Sequence, residues 1–155
     1  MRHEPVSSIV VPVYEDPEGI RLTLDSILNQ STDRAYRVVV VDNGSADRTP
    51  EIVRAYENDY DHLTLVHERE IQSSYAARNT GIRNTDSEIL AFVDADMTVP
   101  GDWLDSALQT RQSTDADYVG CHVEVTPPET PHHPARDDHH TGFPQFRGGA
   151  PGLKS

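Results

Sequence analysis

Four short runs of apolar residues along the chain predict buried β-strands. The runs cover residues 8–13, 37–41, 63–66 and 89–93. Each run is too short for a helix, is rich in β-branched residues and is flanked by polar or turn-forming positions. That pattern is typical of strands buried on both faces of a parallel sheet. A fifth run, at residues 118–125, alternates between apolar and polar positions and predicts an edge strand.

The segments between these runs carry apolar residues at helical spacing, and each begins with a helix start signal. Asp16 is followed by Pro17, which predicts an N-cap with proline at the first helical position. Related signals precede the other three segments, at residues 49–51, at Ser73 or Ser74, and at residues 100–102. Strands and helices that alternate in this way form right-handed βαβ units. The sequence therefore predicts an α/β fold in three layers, αβα, around a mostly parallel, Rossmann-like sheet.

The composition changes after residue 125 and divides the chain into two predicted parts. Residues 126–155 contain six prolines, four glycines and four histidines, with few large apolar side chains. Such a segment cannot bury enough apolar surface to offset the loss of chain entropy. We therefore predict one folded domain over residues 1–125 and an irregular or disordered tail over residues 126–155.

The histidines of the tail allow a second interpretation, a transition-metal site. Its ligands would come from His132, His133, His139 and His140, with Asp137 and Asp138. The lack of cysteine in this stretch and its proline-rich flanks favour a solvated segment instead. Cys121 is the only cysteine of the chain, which excludes an internal disulfide and a cysteine-built zinc site. We expect it to be a buried strand residue.

A strong excess of acidic over basic residues disfavours some classes of function. The 155 residues include 26 Asp and Glu against 13 Lys and Arg, a formal net charge of −13, and Lys154 is the only lysine. Nucleic-acid binding and a basic membrane-binding patch both need excess cations and are disfavoured. An acidic surface with so little lysine indicates a halophilic protein, because high salt screens self-repulsion; an ordinary acidic bacterial protein is the alternative.

Neither a membrane-spanning stretch nor a signal peptide is evident in the sequence. No stretch approaches the roughly 20 apolar residues that a membrane-spanning helix needs. The first residues carry no signal-peptide pattern. We therefore expect a cytoplasmic protein without a transmembrane segment.

Polar residues at the carboxyl ends of the predicted strands indicate where a ligand binds, because open parallel sheets bind ligands at that edge. The first strand leads into Tyr14 and Glu15, the second into Asp42, and the fourth into Asp94 and Asp96. In an extended segment Asp94 and Asp96 lie on the same side. Two such carboxylates can hold Mg²⁺ or Mn²⁺ and leave coordination positions for substrate phosphates. The alternative is a solvated acidic turn.

Glycine-rich phosphate-binding motifs are missing from the sequence. No G-x-G-x-x-G follows the first strand, and G-x-x-x-x-G-K-[ST] does not occur. Phosphate charge would then be met by a metal ion and by arginine. Arg78, at the start of the helix that precedes the fourth strand, is the best-placed candidate. The alternative for Arg78 is a surface salt bridge.

Three segments, in this order, resemble the nucleotide-sugar-binding half of an inverting family 2 glycosyltransferase with the GT-A fold. They read SIVVPVYED at the first strand, VVVVDNGSADRTPEIV at the second, and YAARNTGIRNTDSEILAFVDADMTVPGDWL around the D-x-D sequence. The resemblance extends over residues 8–108, about two thirds of the chain. It implies a nucleotide-diphospho-sugar donor, transfer with inversion to a hydroxyl of a glycan, lipid-linked or protein acceptor, and work at the cytoplasmic face of a membrane.

The resemblance also implies which residues contact the nucleotide sugar. They are Pro12, Val13, Tyr14, Glu15, Asp42, Asn43, Arg78, Asp94 and Ala95. Residues 12–15 would line the base and ribose pocket, with Tyr14 able to cover the base. Asp42 and Asn43 would contact the base. Asn43 replaces a second acid found in many members, and its amide offers both a donor and an acceptor, so uridine, thymidine and guanosine stay open.

Phosphate and metal contacts follow from the same resemblance. Arg78 falls where the family approaches the diphosphate, and Asp94 falls on the ribose or sugar side. Asp96 is implied to hold the Mn²⁺ or Mg²⁺ that bridges the two phosphates. Such a metal neutralises charge on the departing nucleoside diphosphate.

An inverting transfer also needs a general base that takes the proton from the acceptor hydroxyl. In the family this carboxylate comes from the acceptor-binding half, well downstream of the D-x-D sequence. The late carboxylates here, Glu124, Glu129, Asp137 and Asp138, match no such motif, and no base is assigned. The chain therefore resembles a donor-binding half. It is either a catalytically incomplete binding fragment or one part of an enzyme whose acceptor half a partner chain supplies.

A phosphatase of the haloacid-dehalogenase type is the remaining alternative. Residues 94–99 fit its D-x-D-x-T-hydrophobic nucleophile motif. That fold needs the motif near its beginning and a lysine after it, whereas the only lysine here is the penultimate residue.

Overall fold

The computed structural model describes residues 7–125, in which four strands alternate with four helices. The strands are β1 (Ser7–Val13), β2 (Tyr36–Asp42), β3 (Leu63–His67) and β4 (Ile89–Phe92). The helices are α1 (Pro17–Leu28), α2 (Thr49–Asp59), α3 (Ser74–Arg83) and α4 (Trp103–Thr114). The predicted alternation of strand and helix is confirmed.

All four strands are parallel and lie in the order β3-β2-β1-β4. The register brings Val13 of β1 level with Asp42 of β2, and Asp42 level with His67 of β3. β4 stops earlier, because its last residue, Phe92, is level with Val10. The predicted parallel sheet is therefore confirmed, and three strands end together at one edge.

Helices cover both faces of this sheet. One core lies between the sheet and α1 and α2, and its members include Ile9, Val11, Val13, Ile20, Leu24, Ile27, Val38, Val40 and Val53. The opposite core joins Val10, Val39 and Val41 to Ala77 of α3. Every residue of β1 is buried, since β1 has a strand on each side and a helical layer on each face. The three-layer αβα arrangement is confirmed.

A glycine lets α3 approach the sheet closely. A Cβ atom on Gly81 would lie 2.3 Å from Cγ1 of Val10 and 3.2 Å from Cγ2 of Val41. Both valines are fully buried in a close-packed interior, so neither can move aside without disturbing its neighbours. Packing against β1 therefore requires a residue without a side chain at this position.

Side-chain caps fix the first residues of α1 and α3. The Asp16 carboxylate accepts a hydrogen bond from the N–H of Gly19 at 2.8 Å, as the sequence predicts. Ser73, rather than Ser74, caps α3, because its hydroxyl accepts from the N–H of Ala76 at 3.1 Å. The hydroxyl of Ser74 is thereby not needed for capping.

The other two helices begin without a cap from the predicted residues. Thr49 is already the first residue of α2, and its N–H donates to the carboxylate of Asp47 at 2.9 Å. Asp102 makes no side-chain cap at α4. The N–H of Leu104 donates instead to Oε1 of Gln30, a residue just after α1, at 2.9 Å.

The predicted fifth strand is wrong. Residues 118–125 form no strand, and the side chains of Tyr118 and Val125 are 85% and 86% exposed. An alternating pattern stabilises a strand only where one face packs on a core and a neighbouring strand supplies hydrogen bonds. Cys121, which we expected to be buried in this strand, is exposed.

The chain divides after Cys121 into two units, Met1–Cys121 and His122–Ser155. The predicted boundary after residue 125, the irregular tail and its histidine cluster stay predictions, because residues 126–155 lie outside the described residues. Within residues 7–125, no helix combines the length and the hydropathy that crossing a membrane requires.

His62, just before β3, lies in an aromatic cluster. Its ring meets Tyr36 and Tyr60 edge to face, with centroid separations of 5.1 and 5.9 Å. The Nε2 atom is buried and has no hydrogen-bond partner among the described residues. Burial lowers the pKa of His62 by penalising the charged ring, and nearby Asp61 opposes that shift. The fold therefore favours a neutral imidazole here.

We expect Gly81→Ala to destabilise the protein by about 1–3 kcal/mol, the usual cost of overpacking a buried site. This cost exceeds the roughly 0.5–1 kcal/mol by which alanine is the better helix residue. Urea denaturation measures the difference. Gly101→Ala is the matched control, because a Cβ atom there would meet no atom closer than 3.8 Å. Equal stability of Gly81→Ala and the wild type would contradict the close approach of α3.

We expect the free energy of unfolding to decrease as the pH falls below about 6.5, the ordinary pKa of histidine. Below that pH the unfolded chain binds a proton on His62, whereas the folded state binds it only at a lower pH. Urea denaturation over about pH 5 to 8 tests this in the wild type and in His62→Phe, which should lose this part of the dependence. His122→Gln, at an exposed histidine, should keep it. An unchanged pH dependence in His62→Phe would refute the prediction.

Candidate functional site

The segments that follow β2 and β4 are held on either side of the end of β1. Asn43 follows β2, and its N–H donates to the carbonyl oxygen of Val13 at 2.9 Å. Val93 follows β4, and its N–H donates to the carbonyl oxygen of Val10 at 3.2 Å. Because β1 binds both neighbours, Asn43 and Asp94 come to the same edge of the sheet.

A cleft of about 290 Å³ opens at this edge. Six of the residues predicted from the sequence line it, namely Pro12, Val13, Tyr14, Asn43, Arg78 and Asp94. The seventh lining residue is Ser74, which the sequence interpretation treated as a candidate helix cap. Its signal was the spacing to Arg78, because residues four apart in a helix lie on one face. The other predicted residues, Glu15, Asp42, Ala95 and Asp96, are not part of this lining.

An ion pair crosses the cleft. Nη2 of Arg78 lies 2.7 Å from Oδ1 of Asp94, joining α3 to the segment after β4. The two side chains are 31% and 50% exposed, so the pair contributes little to folding stability. The surface salt bridge considered as the alternative for Arg78 is present, and it lies inside the cleft rather than on a remote surface.

The D-x-D sequence forms a turn, not an extended segment. The N–H of Met97 donates to the carbonyl oxygen of Asp94 at 3.1 Å, which closes the turn from Asp94 to Met97. The segment is therefore not extended, and the argument from strand alternation does not apply to Asp94 and Asp96. Both aspartates are exposed at this turn, while Ala95 between them is 9% exposed and packs into the core with Val93.

Glu15 connects two loops through its backbone. Its φ angle is 45°, a left-handed conformation that non-glycine residues seldom adopt. In this conformation its N–H donates to Oγ of Ser45, in the loop after β2, at 2.9 Å. The loop after β1 is thus tied to the loop after β2 beside the cleft, which is a structural role that the sequence did not indicate.

Asp42 lies beneath a second cleft, of about 370 Å³. Its side chain is 4% exposed and accepts from the N–H of Ser45 at 3.3 Å. Its other carboxylate oxygen lies 3.1 Å from Nδ1 of His67. Arg54 and Arg69 also line this second cleft. The predicted base-contacting residues Asp42 and Asn43 therefore face different clefts.

Asn43 carries an unsatisfied acceptor at the first cleft. The residue is 6% exposed, and its Oδ1 atom has no hydrogen-bond partner among the described residues. A buried acceptor without a partner costs about 1–3 kcal/mol. A ligand N–H group that reached this buried atom would relieve this cost.

The turn offers two carboxylates to a metal ion. Within residues 7–125, no group of three or more His, Cys, Asp or Glu side chains is arranged to hold one. Mg²⁺ is usually bound through one or two carboxylates together with substrate phosphates, and Mn²⁺ prefers similar oxygen ligands. Asp94 and Asp96 therefore fit a cation that arrives with a diphosphate, and do not fit one held by the protein alone.

Glu68 fixes the loop that leads into α3. Its carboxylate accepts from the N–H groups of Glu70 and Ile71, at 2.8 and 3.1 Å, and from the hydroxyl of Thr80 at 2.5 Å. These hydrogen bonds, that of Thr80 first, lower the pKa of Glu68. The helix that carries Arg78 is thus tied, through Thr80 in its second half, to the loop that leads into it. The sequence gave no sign of this role, because its partners are backbone groups and a residue twelve positions away.

Several glycosyltransferases and solved structures of such enzymes resemble this chain. Glycosyltransferase AglE of Haloferax volcanii is 43% identical over 125 residues, which are 80% of this chain and 41% of AglE. Mannosyltransferase PcManGT of Pyrobaculum calidifontis, solved in complex with GDP-Man and Mn²⁺, is 35% identical with a TM-score of 0.65. S. aureus TarS 1-349, solved in complex with UDP-GlcNAc, is 27% identical with a TM-score of 0.64.

The matches to the two structures cover more of this chain than of those proteins. They span 71% of this chain and 33% of the mannosyltransferase, and 78% of this chain and 36% of the TarS chain. The chain thus spans about two fifths or less of the length of these relatives. A family model for glycosyl transferase family 2 matches residues 8–151, which is most of the chain. The resemblance stated from the sequence is confirmed: the chain belongs to glycosyl transferase family 2.

Proposed function

We propose that this chain forms the donor site of an inverting, metal-dependent glycosyltransferase. The donor would be a nucleotide-diphospho-sugar, and the acceptor a hydroxyl of a glycan, a lipid-linked glycan or a protein. The observation that carries the proposal is the single cleft in which the end of β1 meets Asn43, Arg78 and Asp94. Related structures that hold GDP-Man with Mn²⁺, or UDP-GlcNAc, support it. Family membership leaves the phosphatase alternative without support.

The base and ribose of the donor would bind at the end of β1. Pro12 and Val13 supply an apolar surface, and the half-exposed ring of Tyr14 is free to cover the base. Asn43 would pair with the base edge, because its amide offers a donor and the unsatisfied Oδ1 acceptor. Asp42 supports this corner from the neighbouring cleft.

The diphosphate would bind where the ion pair now lies. Arg78 would exchange the Asp94 carboxylate for a phosphate oxygen, a partner of the same charge sign. Asp94 and Asp96 would hold the Mn²⁺ or Mg²⁺, which supplies positive charge to the departing nucleoside diphosphate. Ser74, one turn before Arg78, adds a hydroxyl donor to the same part of the cleft.

The general base and the acceptor site lie, in this proposal, outside the described residues. Asp105, a described carboxylate after the D-x-D turn, accepts from the hydroxyl of Thr32 at 2.6 Å and pairs with Arg34 at 3.5 Å. Those contacts hold it away from the base role. The base would come from a region equivalent to the part of the relatives that this chain does not span, or from a partner chain.

A non-catalytic nucleotide-sugar-binding fragment is the second candidate. The lack of an assigned general base among the described residues favours it, since Asp105 is engaged by Thr32 and Arg34. The same cleft would bind the donor in both cases, so binding does not separate them. Sugar transfer from a matched donor to an acceptor would eliminate the fragment, and background transfer with intact donor binding would support it.

The charge of the chain indicates the cellular setting of the proposed function. The net charge of −13 with one lysine suits a cytoplasm of high salt, where self-repulsion is screened. We propose that the protein works there, at the inner face of a membrane on which lipid-linked glycans are built. Nucleotide binding to this protein should therefore be measured in concentrated KCl.

We expect one nucleoside diphosphate to raise the melting temperature in the presence of Mn²⁺. A ligand at 100 times its Kd stabilises the folded state by about 2.7 kcal/mol. A thermal-shift panel of GDP, UDP and dTDP, with and without Mn²⁺, measures the effect and identifies the base. Asp96→Asn should lose the metal-dependent part, whereas the control Asp59→Asn, at an exposed acid on α2, should keep it. No shift with any nucleotide would refute the donor site, and an equal shift in Asp96→Asn would refute the metal role.

We expect Arg78→Ala to weaken nucleoside diphosphate binding by about 10-fold or more, because a hydrogen bond to a charged group contributes about 1.5–3 kcal/mol. Binding of the bare nucleoside should not change. The stability of the free protein should change by less than about 1 kcal/mol, because the ion pair with Asp94 is exposed. Calorimetric titration gives both affinities, and Arg34→Ala, which breaks an ion pair outside the cleft, is the control. Equal loss of nucleoside and diphosphate binding would argue against a phosphate contact.

A further inference from the structure

One face of α1 holds the backbone of the segment after β4. Thr23, Ser26 and Gln30 are spaced three and four residues apart, so they lie along one side of the helix and its C-terminal extension. Each of the three contacts backbone groups within residues 94–104. This row of polar side chains, Thr23, Ser26 and Gln30, is called the α1 bracket below.

Thr23 contacts both ends of the D-x-D turn. Its hydroxyl donates to the carbonyl oxygen of Met97 at 2.7 Å and lies 3.5 Å from the carbonyl oxygen of Asp94. The residue is fully buried, as are Ile20 and Leu24 on the same helix. A buried hydroxyl is favourable only when hydrogen-bonded, and the Met97 carbonyl supplies that partner. The turn and the hydroxyl therefore depend on each other.

Ser26 and Gln30 continue the bracket beyond the turn. The Ser26 hydroxyl accepts from the N–H of Val99 at 3.1 Å. Gln30 donates from Nε2 to the carbonyl oxygen of Pro100 at 2.7 Å and accepts at Oε1 from the N–H of Leu104 at 2.9 Å. The chain between the turn and α4 is thus held at successive backbone groups.

We propose that Thr23 is a positioning residue for the metal and donor site. Its hydroxyl sets the conformation of the turn from Asp94 to Met97, and so sets where the Asp94 and Asp96 carboxylates lie relative to each other. This inference rests on the proposed function, in which those two carboxylates hold the divalent cation. Thr23 itself touches neither cation nor donor; it acts through the backbone of the turn.

The bracket matters because the cation site has few protein ligands. Two carboxylates on a turn can hold a cation with a diphosphate only if their separation matches the coordination distances. Both side chains are exposed, and Arg78, which now holds the Asp94 carboxylate, turns to the phosphate in the proposed function. Replacing a residue that orients metal ligands without touching the metal commonly changes metal affinity by about 10- to 100-fold.

The test compares Thr23→Val with Thr23→Ser. Valine keeps the branched shape and removes the hydroxyl, whereas serine keeps the hydroxyl and removes the methyl group. For each variant and the wild type, calorimetry gives the Kd of GDP and of UDP with and without Mn²⁺, well below every melting temperature. The ratio of the two Kd values for the nucleotide that binds is the metal enhancement. A general loss of stability would not change this ratio selectively.

We expect Thr23→Val to lower the metal enhancement by about 10- to 100-fold while leaving the metal-free Kd unchanged. Thr23→Ser should retain most of the enhancement. If Thr23→Val does not fold, Ser26→Ala tests the bracket at the Val99 contact, and a reduced enhancement with an unchanged metal-free Kd supports it. Full enhancement in whichever of these two variants is measured overturns the assignment.

Two further results would also overturn it. An equal loss in Thr23→Val and Thr23→Ser would assign the effect to a general disturbance of packing at this position rather than to the hydrogen bond. A wild type that binds a nucleotide with no metal enhancement would refute the metal role in the proposed function, and the assignment of Thr23 would fall with it. A wild type that keeps its enhancement while Thr23→Val keeps it too would remove only the assignment of Thr23.

Discussion

The complete burial of β1 is the constraint on which the rest of the structure depends. β2 pairs with all seven residues of β1, β4 pairs with the first four, and a helical layer covers each face, so every residue of β1 is buried. Its register with β2 brings Asp42 and Asn43 to the edge at which β1 ends. Its hydrogen bond to Val93 does the same for the D-x-D turn. The absence of a side chain at Gly81 lets α3, and Arg78 with it, lie close against β1.

The sequence predicted well those features that follow from burial alone. Strands of β-branched residues and amphipathic helices follow from local patterns, and parallel order follows from their alternation. Once the strands are parallel, their carboxyl ends share an edge, which is why Tyr14, Asn43 and Asp94 line one cleft. The sequence also pointed to Arg78, from its place at the start of the helix before the fourth strand, and the family resemblance agreed with it. The loop after β3 positions that helix.

The sequence failed where a tertiary contact overrides the local pattern. The sequence predicted an extended segment at Asp94 and Asp96, but the hydrogen bond from the Met97 N–H to the Asp94 carbonyl oxygen closes a turn there. Residues 118–125 alternate like a strand but have no core to cover. The roles of Glu68 and Thr23 were not predictable, because their partners are mostly backbone groups, and those of Thr23 lie far along the chain. The spacing of residue types along the sequence carries no information about such contacts.

The ion pair between Arg78 and Asp94 has a consequence for how donor binding responds to salt. A phosphate that binds an unpaired arginine gains a contact that dissolved ions weaken, so its affinity falls as salt rises. Here, on the proposed function, binding breaks one exposed contact between opposite charges and makes another of the same kind. Screening weakens both, and the two effects largely cancel. On the proposed function, Arg78 would thus exchange one anion for another, and this contact would contribute little to the salt dependence of diphosphate affinity.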